Sequence, residues 1–307
     1  MYKALHYICY NGCNMKTFVI INPVSGKQRR EKEDWLRPVQ INFPDAVCAF
    51  TQSAGHATEL AARAVSEGYE QILVAGGDGT INEAARALVG KSAALGIIPK
   101  GSGNGLAREL GIPLSYEQAL LTLQHCEPVA CDVGQANGEY FFNVAGVGIE
   151  AEIARQFAEH GKTGERGMWP YFKLGIQTVF SYKPKFLEVH YNGKSELMAP
   201  LTLVFANGAQ YGSNFIIAPR ASLVDGLFDM VRVPNFPKWQ LALAAPTFFS
   251  KTFRPLQVSQ TQHTAHAIIK ADEEIVYHLD GEPKTTKNRL EISLLPRALK
   301  LLIPRGL

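Results

Sequence analysis

The sequence lacks the cysteine patterns of disulfide-stapled and zinc-binding proteins. Its five cysteines are odd in number, scattered and without a CxxC pair (Cys9, Cys13, Cys48, Cys126 and Cys131). Zinc sites and disulfide-rich domains need paired or regularly spaced cysteines, so neither class is indicated. Because free thiols are typical of reducing compartments, the cysteine usage predicts a cytoplasmic chain.

The sequence also has little net charge and no long apolar run. The longest uncharged stretch, Leu197 to Pro219, is interrupted by Asn207, Gln210 and Asn214, which favours strand, loop and strand over a membrane span. The first fifteen residues have no apolar core of the kind that signal peptides contain. A formal net charge of +3 is too small to predict nucleic-acid binding, although it permits weak attraction to an anionic membrane surface.

The chain does have enough apolar sequence for two domain cores. It contains 307 residues, of which 46% are hydrophobic and 19% are charged. These proportions are typical of a globular protein, and the length exceeds that of one ordinary domain. The sequence contains no internal repeat and no low-complexity linker.

Strand-like and helix-like segments alternate in the first half of the chain. A short β-branched run at Thr17–Ile21, an apolar run at Val47–Phe50 and strand-like segments at Gln71–Ala75 and Leu95–Ile98 predict four strands. Apolar residues at helical spacing, and a charged stretch at the first of them, predict helices at Arg30–Leu36, Gly55–Gly68, Ile81–Val89 and Leu106–Leu110. This alternation predicts a parallel sheet covered by helices.

From about Val129 onward short strands dominate, and turn dipeptides such as Asn192-Gly193 and Asp280-Gly281 lie between or beside them. The predicted strands are Phe141–Val144, Phe186–Tyr191, Leu201–Phe205, Phe228–Val233, Ile275–Leu279 and Leu290–Leu294. The predicted helices are Glu150–Glu159, Trp169–Phe180 and Trp239–Phe249. The second half is therefore expected to be an antiparallel β domain.

The glycine loop Gly76-Gly77-Asp78-Gly79-Thr80 directly follows a predicted strand and opens a predicted helix. Its glycines let backbone N–H groups approach a phosphate closely, and the start of the helix adds partial positive charge. In an open parallel sheet, ligands bind at the carboxyl ends of the strands, where this loop lies. The pattern favours a phosphate-binding loop over a plain glycine turn capped by Thr80.

Two further loops repeat this arrangement. Pro99–Ala107 follows the strand Leu95–Ile98, and its Ser102 is as well suited to capping a helix as to contacting a phosphate. Asn22–Lys27 follows the first strand, but its glycine spacing is not that of a Walker loop. Three loops at strand ends in one half of the chain together predict one composite nucleotide site.

Two acidic motifs occur in the second half. Asp280-Gly281-Glu282 follows a predicted strand, and burial or a neighbouring charge can raise the pKa of one carboxyl enough for general-base work. An exposed acidic hairpin turn is equally consistent with the pattern. Asp225-Gly226 and the residues up to Asp229 offer a carboxylate and carbonyls to a cation such as Mg²⁺, although spacing alone favours a plain turn.

Taken together and in this order, the motifs resemble the diacylglycerol kinase catalytic-domain family, which includes bacterial lipid kinases and sphingosine kinases and is distantly related to NAD kinases. The resemblance covers the chain from Lys16 onward. It implies a three-layer α/β/α domain that binds ATP over residues 16–132 and about 295–307. It also implies an antiparallel β-sandwich domain over residues 133–294 that takes up the lipid, with the final strands returning to the first domain.

The resemblance also implies roles for individual residues. Contacts with ATP are expected from Asn22, Ser25, Thr51, Gly76, Gly77, Asp78, Gly79, Thr80, Ile81, Asn82 and Ser102. Either Asp280 or Glu282 is expected to remove the lipid hydroxyl proton, and in the sphingosine kinases the equivalent of Asp78 has a catalytic part. The Mg²⁺ site falls on Asp225 with the backbone carbonyls of Ser222 and Leu227.

The function implied is ATP- and Mg²⁺-dependent phosphorylation of a lipid hydroxyl, with the lipid taken from a membrane surface during transient peripheral contact. Gly105 stands where many bacterial members have Asp, and this form resembles the sphingosine kinases, so diacylglycerol and a sphingoid base both remain candidates. An NAD kinase-like enzyme and a non-catalytic regulator that binds nucleotide or lipid are the alternatives. No nucleic-acid partner is expected, and a homodimer is left open.

Overall fold

The computed structural model describes residues 15–26, 31–160, 178, 181–212, 215–235 and 259–305. Nine elements form its first half: β1 (Thr17–Ile21), α1 (Lys32–Asn42), β2 (Val47–Phe50), α2 (His56–Ser66), β3 (Gln71–Gly76), α3 (Asp78–Leu88), β4 (Ala94–Pro99), α4 (Gly105–Glu109) and α5 (Tyr116–Leu123). The four predicted strands are confirmed. Helix α3 begins at Asp78, three residues earlier than predicted, so Asp78 and Gly79 belong to its first turn.

The first-half strands form a parallel sheet in the order β2, β1, β3, β4. Strands β1, β3 and β4 are buried along their whole length, because helices cover both faces of the sheet. Helix α2 packs on α3, and α1 packs on α5 with the rings of Trp35 and Tyr116 5.2 Å apart. From β1 to β2 the chain moves toward one edge of the sheet, and from β2 to β3 it moves back toward the other edge. Because both crossovers are right-handed, α1 and α2 lie on opposite faces.

The described residues of the second half contain one long helix and many strands. These elements are β5 (Cys126–Ala136), β6 (Glu139–Phe141), β7 (Val144–Gly148), α6 (Ile149–His160), β8 (Leu187–Tyr191), β9 (Lys194–Met198), β10 (Thr202–Ala206), β11 (Gln210–Gly212), β12 (Phe215–Ile216), β13 (Phe228–Val233), β14 (Gln260–Thr264), β15 (His266–Lys270), β16 (Ile275–Leu279), β17 (Glu282–Thr286) and β18 (Arg289–Pro304). The helix predicted over Glu150–Glu159 is confirmed as α6.

Two layers of antiparallel strands form a sandwich in this half. One layer is a six-stranded sheet in the order β14, β13, β10, β7, β16, β17. The other layer contains β15, β8 and β9, which belong to the same sheet as the parallel strands. A shared apolar core lies between the layers, and in it the rings of Phe141 and Phe228 stack with centroids 5.5 Å apart. This arrangement confirms the predicted β-sandwich.

Strand β18 joins the parallel strands to the sandwich. Its residues Lys300 and Leu301 pair in parallel with β4, and most of its length pairs antiparallel with β5 and β15. A register shift between Leu295 and Leu299 interrupts the pairing with β5. The prediction that the final strands return to the first domain is therefore confirmed.

Some predicted elements differ from the structure. The predicted strand Phe141–Val144 is divided between β6 and β7, because the N–H groups of Phe142 and Asn143 bind a carboxylate instead of a neighbouring strand. Helix α5 was not predicted, and Leu290–Leu294 is only part of β18. The helices predicted over Trp169–Phe180, apart from Thr178, and over Trp239–Phe249 lie outside the described residues. Within the described ranges, none of the helices has the length and apolar character needed to cross a bilayer.

Gly148, the last residue of β7, cannot accept a side chain without a rearrangement of its neighbours. It has a φ of +142°, and an added Cβ would lie 2.5 Å from the Leu201 carbonyl oxygen and 2.6 Å from the Thr202 Cα. We therefore expect Gly148→Ala to lower the free energy of unfolding by about 3 kcal/mol or more, measured by urea denaturation.

Gly193→Ala is the matched control. This glycine also has a positive φ, of +73°, but no atom of the described residues lies within 4 Å of an added Cβ. The control is expected to lose only about 1–2 kcal/mol, because backbone strain acts alone there. Equal losses in the two variants would show that the close approach to β10 has no energetic weight.

Candidate active site

The loops that follow β1, β2, β3 and β4 meet at the carboxyl end of the parallel sheet. The Asn22 N–H donates to the Ala75 carbonyl at 2.8 Å, and the Thr51 N–H donates to the Ile21 carbonyl at 2.9 Å. The Lys100 N–H in turn donates to the Gly76 carbonyl at 2.8 Å. The structure therefore brings together the three loops that the sequence singled out.

The start of α3 presents backbone N–H groups to the space above the sheet. Among the residues that the structure describes, no side chain caps this helix at Gly77, which has an extended conformation. Outside its own helix, no atom of the described residues lies within 4 Å of the position that a Gly79 Cβ would occupy, so Gly79 borders open space in the described part of the chain. An uncapped helix start leaves the first N–H groups without intrahelical acceptors and carries partial positive charge. This end of α3 is suited to an anion.

The Gly76–Thr80 loop packs directly against the second glycine loop, Pro99–Ala107. A Cβ on Gly101 would lie 2.8 Å from the Gly77 Cα, and a Cβ on Gly76 would lie 2.6 Å from the Thr80 Cβ. Thr80 is buried, and its hydroxyl accepts a hydrogen bond of 2.8 Å from the Asn22 amide. The glycines are therefore needed for contact between the loops as well as for access to the N–H groups.

Asp78 joins the two glycine loops through hydrogen bonds. One carboxylate oxygen accepts the Asn104 N–H at 2.9 Å, and the other accepts the Gly105 N–H at 2.8 Å. The Asn104 side chain closes the second loop by accepting from the Gly101 N–H and donating to the Gly101 carbonyl, both at 2.8 Å. Asp78 thus holds the second loop and the start of α4 in place.

The other nucleotide-binding candidates lie around these loops. Ser25 is half-buried in the loop after β1, Thr51 is half-buried after β2, and Ser102 is exposed in the second glycine loop. Ile81 is buried in α3, with its N–H bonded to the Gly77 carbonyl at 3.1 Å. Asn82, also buried, points to the β-sandwich side and not to the loops. Their roles in binding ATP stay predictions.

Asp280 lies in a two-residue hairpin between β16 and β17. Asp280 and Gly281 have φ values of +48° and +87°, as a type I′ turn requires. One carboxylate oxygen accepts the N–H groups of Asn143 and Val144, at 2.8 and 2.9 Å. The other oxygen accepts the Phe142 N–H at 2.8 Å and the Asn82 amide at 3.3 Å.

These four donors fill the hydrogen-bonding capacity of the Asp280 carboxylate, which has about four lone-pair sites. Burial raises the pKa of Asp280, with the nearby Asp78 charge acting in the same direction, while the three backbone N–H donors act to lower it. The sequence allowed an exposed acidic hairpin turn here. The turn is present, but the Asp280 carboxylate is an internal hydrogen-bond acceptor that links the turn to Phe142–Val144 and Asn82.

Glu282 is the first residue of β17 and lies beside α3. Its carboxylate is 3.2 Å from the Arg86 guanidinium, and its side chain is 46% exposed. His278, which precedes the turn, is buried and accepts the Gly281 N–H at its Nδ1 atom. Burial lowers the pKa of His278 to about 4, so this imidazole is neutral near pH 7. Glu282 is thus the carboxylate of this turn with room for a further partner.

The residues expected to bind Mg²⁺ lie in one turn before β13. An Asp225 oxygen accepts the Leu227 N–H at 3.1 Å, and the Ser222 hydroxyl accepts the Val224 N–H at 3.4 Å. Asp225 is exposed, so its second oxygen is open to solvent. Among the residues that the structure describes, no three or more His, Cys, Asp or Glu side chains are grouped to hold a metal.

Several polar residues that organise the site were missed by sequence reasoning. Asp132 is buried, and its carboxylate accepts the N–H groups of Gly226 and Arg297, both at 2.7 Å. The buried Asn207 amide donates to the carbonyls of Asp132 and Phe142 at 2.9 and 2.8 Å. Asp132 lies within β5 and Asn207 directly follows β10, and neither polar residue belongs to a sequence motif.

Comparisons with known proteins agree with this geometry. Residues 16–136 match the diacylglycerol kinase catalytic domain, and residues 143–303 match the YegS C-terminal NAD kinase beta sandwich-like domain. A diacylglycerol kinase of Bacillus subtilis is 35% identical over 223 residues, which are 69% of this chain and 72% of the relative. The chain belongs to the diacylglycerol kinase family.

Other members of this lipid kinase family match over more of the chain. A Citrobacter koseri protein named "Probable lipid kinase YegS-like" is 32% identical over 266 residues, which are 83% of this chain and 85% of the relative. A diacylglycerol kinase of Mycobacterium tuberculosis is 28% identical over 306 residues, covering 94% and 96% of the two chains. A crystal structure of a Bacillus anthracis diacylglycerol kinase has the same fold, with a TM-score of 0.72 at 21% identity, covering 95% and 98%.

Proposed function

We propose that this protein is an ATP-dependent lipid kinase that transfers the terminal phosphoryl group of ATP to a lipid hydroxyl. The observation that carries the proposal is the hydrogen bond of 3.3 Å between Asn82 of α3 and Asp280. This bond places the acidic turn, Asp280-Gly281-Glu282, against the first two turns of α3, the helix that begins within the Gly76–Thr80 loop. Phosphoryl transfer depends on such positioning, because the phosphoryl donor and a proton acceptor must both reach the hydroxyl.

The nucleotide site is proposed at the start of α3. The uncapped N–H groups there, together with the open space at Gly79, support binding of the ATP phosphates. Asn22, Ser25, Thr51, Thr80 and Ser102 are proposed to complete the site. Asp78 is proposed to act mainly by holding the second glycine loop, since both of its oxygens already accept backbone N–H groups.

Mg²⁺ is proposed to bind the turn before β13 through Asp225 and the carbonyls of Ser222 and Leu227. An exposed carboxylate and carbonyl oxygens form the kind of donor set that a hard cation prefers. When bound, the cation would neutralise negative charge near the site. The hydrogen bond from Gly226 to Asp132 supports this turn from the protein interior.

Glu282 is proposed as the group that accepts the lipid hydroxyl proton. It is partly exposed and has one ionic contact among the described residues, whereas the carboxylate of Asp280 is already saturated by four donors. A general base must offer a free lone pair within hydrogen-bond reach of the proton that it takes. Asp280 is proposed to hold the hairpin in position for Glu282.

The acceptor is proposed to be diacylglycerol or a related lipid such as a sphingoid base. The B. subtilis and M. tuberculosis relatives are named as diacylglycerol kinases. A lipid of this type resides in a membrane, so the protein is proposed to act in the cytoplasm during transient contact with the membrane surface.

The decisive experiment is an acceptor panel with labelled ATP and Mg²⁺. Purified protein is incubated with vesicles that contain diacylglycerol or a sphingoid base, and separately with NAD. We expect phosphorylation of one lipid, lost when EDTA removes Mg²⁺. Phosphorylation of NAD alone would identify an NAD kinase, and ATP binding without phosphorylation of any acceptor would identify a regulator.

A further inference from the structure

Helix α3 contacts the acidic turn at two points, one helical turn apart. Near its start, Asn82 donates to Asp280, and four residues later Arg86 faces Glu282. The Arg86 Nη2 atom lies 3.2 Å from the Glu282 Oε2 atom. Residues separated by four positions share one face of a helix, so a single face of α3 holds both carboxylates.

The two carboxylates are held very differently. Asp280 accepts four hydrogen bonds, three of them from rigid backbone. Within the described part of the chain, Arg86 is the only polar partner of the Glu282 carboxylate. The direction of the Glu282 side chain is therefore set by one ionic contact.

This contact is a poor stabiliser of the fold. The side chains of Arg86 and Glu282 are 31% and 46% exposed, and an ion pair at this exposure contributes little to stability. The Arg86 Nε atom is buried without a hydrogen-bond partner among the described residues, so the guanidinium engages Glu282 through one nitrogen. The arrangement orients a side chain more than it stabilises the protein.

We propose that Arg86 is a positioning residue for Glu282. It orients the carboxylate that accepts the lipid hydroxyl proton, and it ties that carboxylate to the helix whose start binds the phosphates. The distance between the proton acceptor and the transferred phosphoryl group is then fixed by one rigid element. Sub-ångström placement of this kind has large effects on rate. The inference rests on the proposed function of Glu282.

The test is a mutant cycle measured with labelled ATP, Mg²⁺ and the acceptor lipid found by the panel. Arg86→Gln is expected to lower kcat about 10- to 100-fold with the KM for ATP unchanged, because the proton acceptor is misplaced. Arg86→Lys is expected to stay within about threefold of wild type, since a single-nitrogen contact needs only a positive charge. In a Glu282→Gln background, Arg86→Gln is expected to cause no further loss, because residues that act as one unit are non-additive.

Arg63→Gln is the control, because Arg63 of α2 also makes one exposed ion pair, 3.6 Å from Glu67. It is expected to keep wild-type kcat. Wild-type kcat in Arg86→Gln would overturn the inference while leaving the proposed function intact, as would a full additional loss in the Glu282→Gln background. Full activity of Glu282→Gln would exclude Glu282 as the proton acceptor and overturn the inference with it, while the lipid kinase function would stand. No lipid phosphorylation by the wild type would overturn the proposed function itself.

Discussion

Glu282→Gln is expected to lower the kcat of lipid phosphorylation about 10²- to 10⁴-fold, the usual contribution of a general base. The replacement keeps the size of the side chain but removes its ability to accept a proton. The side chain is 46% exposed and pairs with one arginine in the part of the chain that the structure describes, so the fold should not change. Nucleotide binding should also be preserved, because the N–H groups at the start of α3 are untouched.

Steady-state kinetics with labelled ATP and direct titration of ATP binding measure these two quantities separately. Glu127→Gln is the matched control, since Glu127 also pairs with one arginine, Arg305, at 2.6 Å on the protein surface. The control should keep both wild-type kcat and wild-type affinity for ATP. Undiminished kcat in Glu282→Gln would exclude Glu282 as the proton acceptor.

Asp280→Asn is expected to abolish turnover and also to lower the free energy of unfolding, by about 3 kcal/mol or more. In wild type, each carboxylate oxygen accepts two donors, and three of the four donors are backbone N–H groups. The asparagine amide places an N–H₂ group, itself a donor, against donors that an Asp280 oxygen accepts in wild type. The segment Phe142–Val144 and the turn itself should then separate, and Glu282 should lose its position.

Urea denaturation and kinetics on the same preparation distinguish this result from that of Glu282→Gln. Asp272→Asn, which alters an exposed residue in the connection between β15 and β16, should change neither stability nor kcat. If Asp280→Asn were inactive with wild-type stability, the four hydrogen bonds to Asp280 would not stabilise the fold, and Asp280 would again be the candidate base. The contrast between the two variants therefore distinguishes loss of the proton acceptor from loss of the structure that positions it.

Much of the fold and the location of the site could be predicted from the sequence. Strands β1 and β2 have the predicted bounds, because short apolar runs between turn residues, β-branched in β1, carry a strong local signal. The glycine loop after β3 could be placed because several glycines at the end of a buried strand are typical of a close approach by a ligand or another loop. These are properties of short segments, and sequence patterns report short segments well.

The roles of the acidic residues could not be predicted in the same way. The motif Asp280-Gly281-Glu282 supplies two carboxylates, but it does not reveal that the lone pairs of Asp280 are filled by Phe142–Val144. Arg86 meets Glu282 across 196 residues of chain, and no local pattern encodes that contact. Such assignments depend on tertiary packing, which decides which oxygen atoms remain free.

Strand β18 has a consequence for how the protein is made. It emerges from the ribosome after β4, β5 and β15, the strands with which it pairs. Until then, β4 and β5 each carry a row of unpaired backbone groups, and edges of that kind invite aggregation. Folding of both halves should therefore finish together and late. A fragment that stops before Arg289 should require chaperones or precipitate, even though it contains every residue of the nucleotide loops.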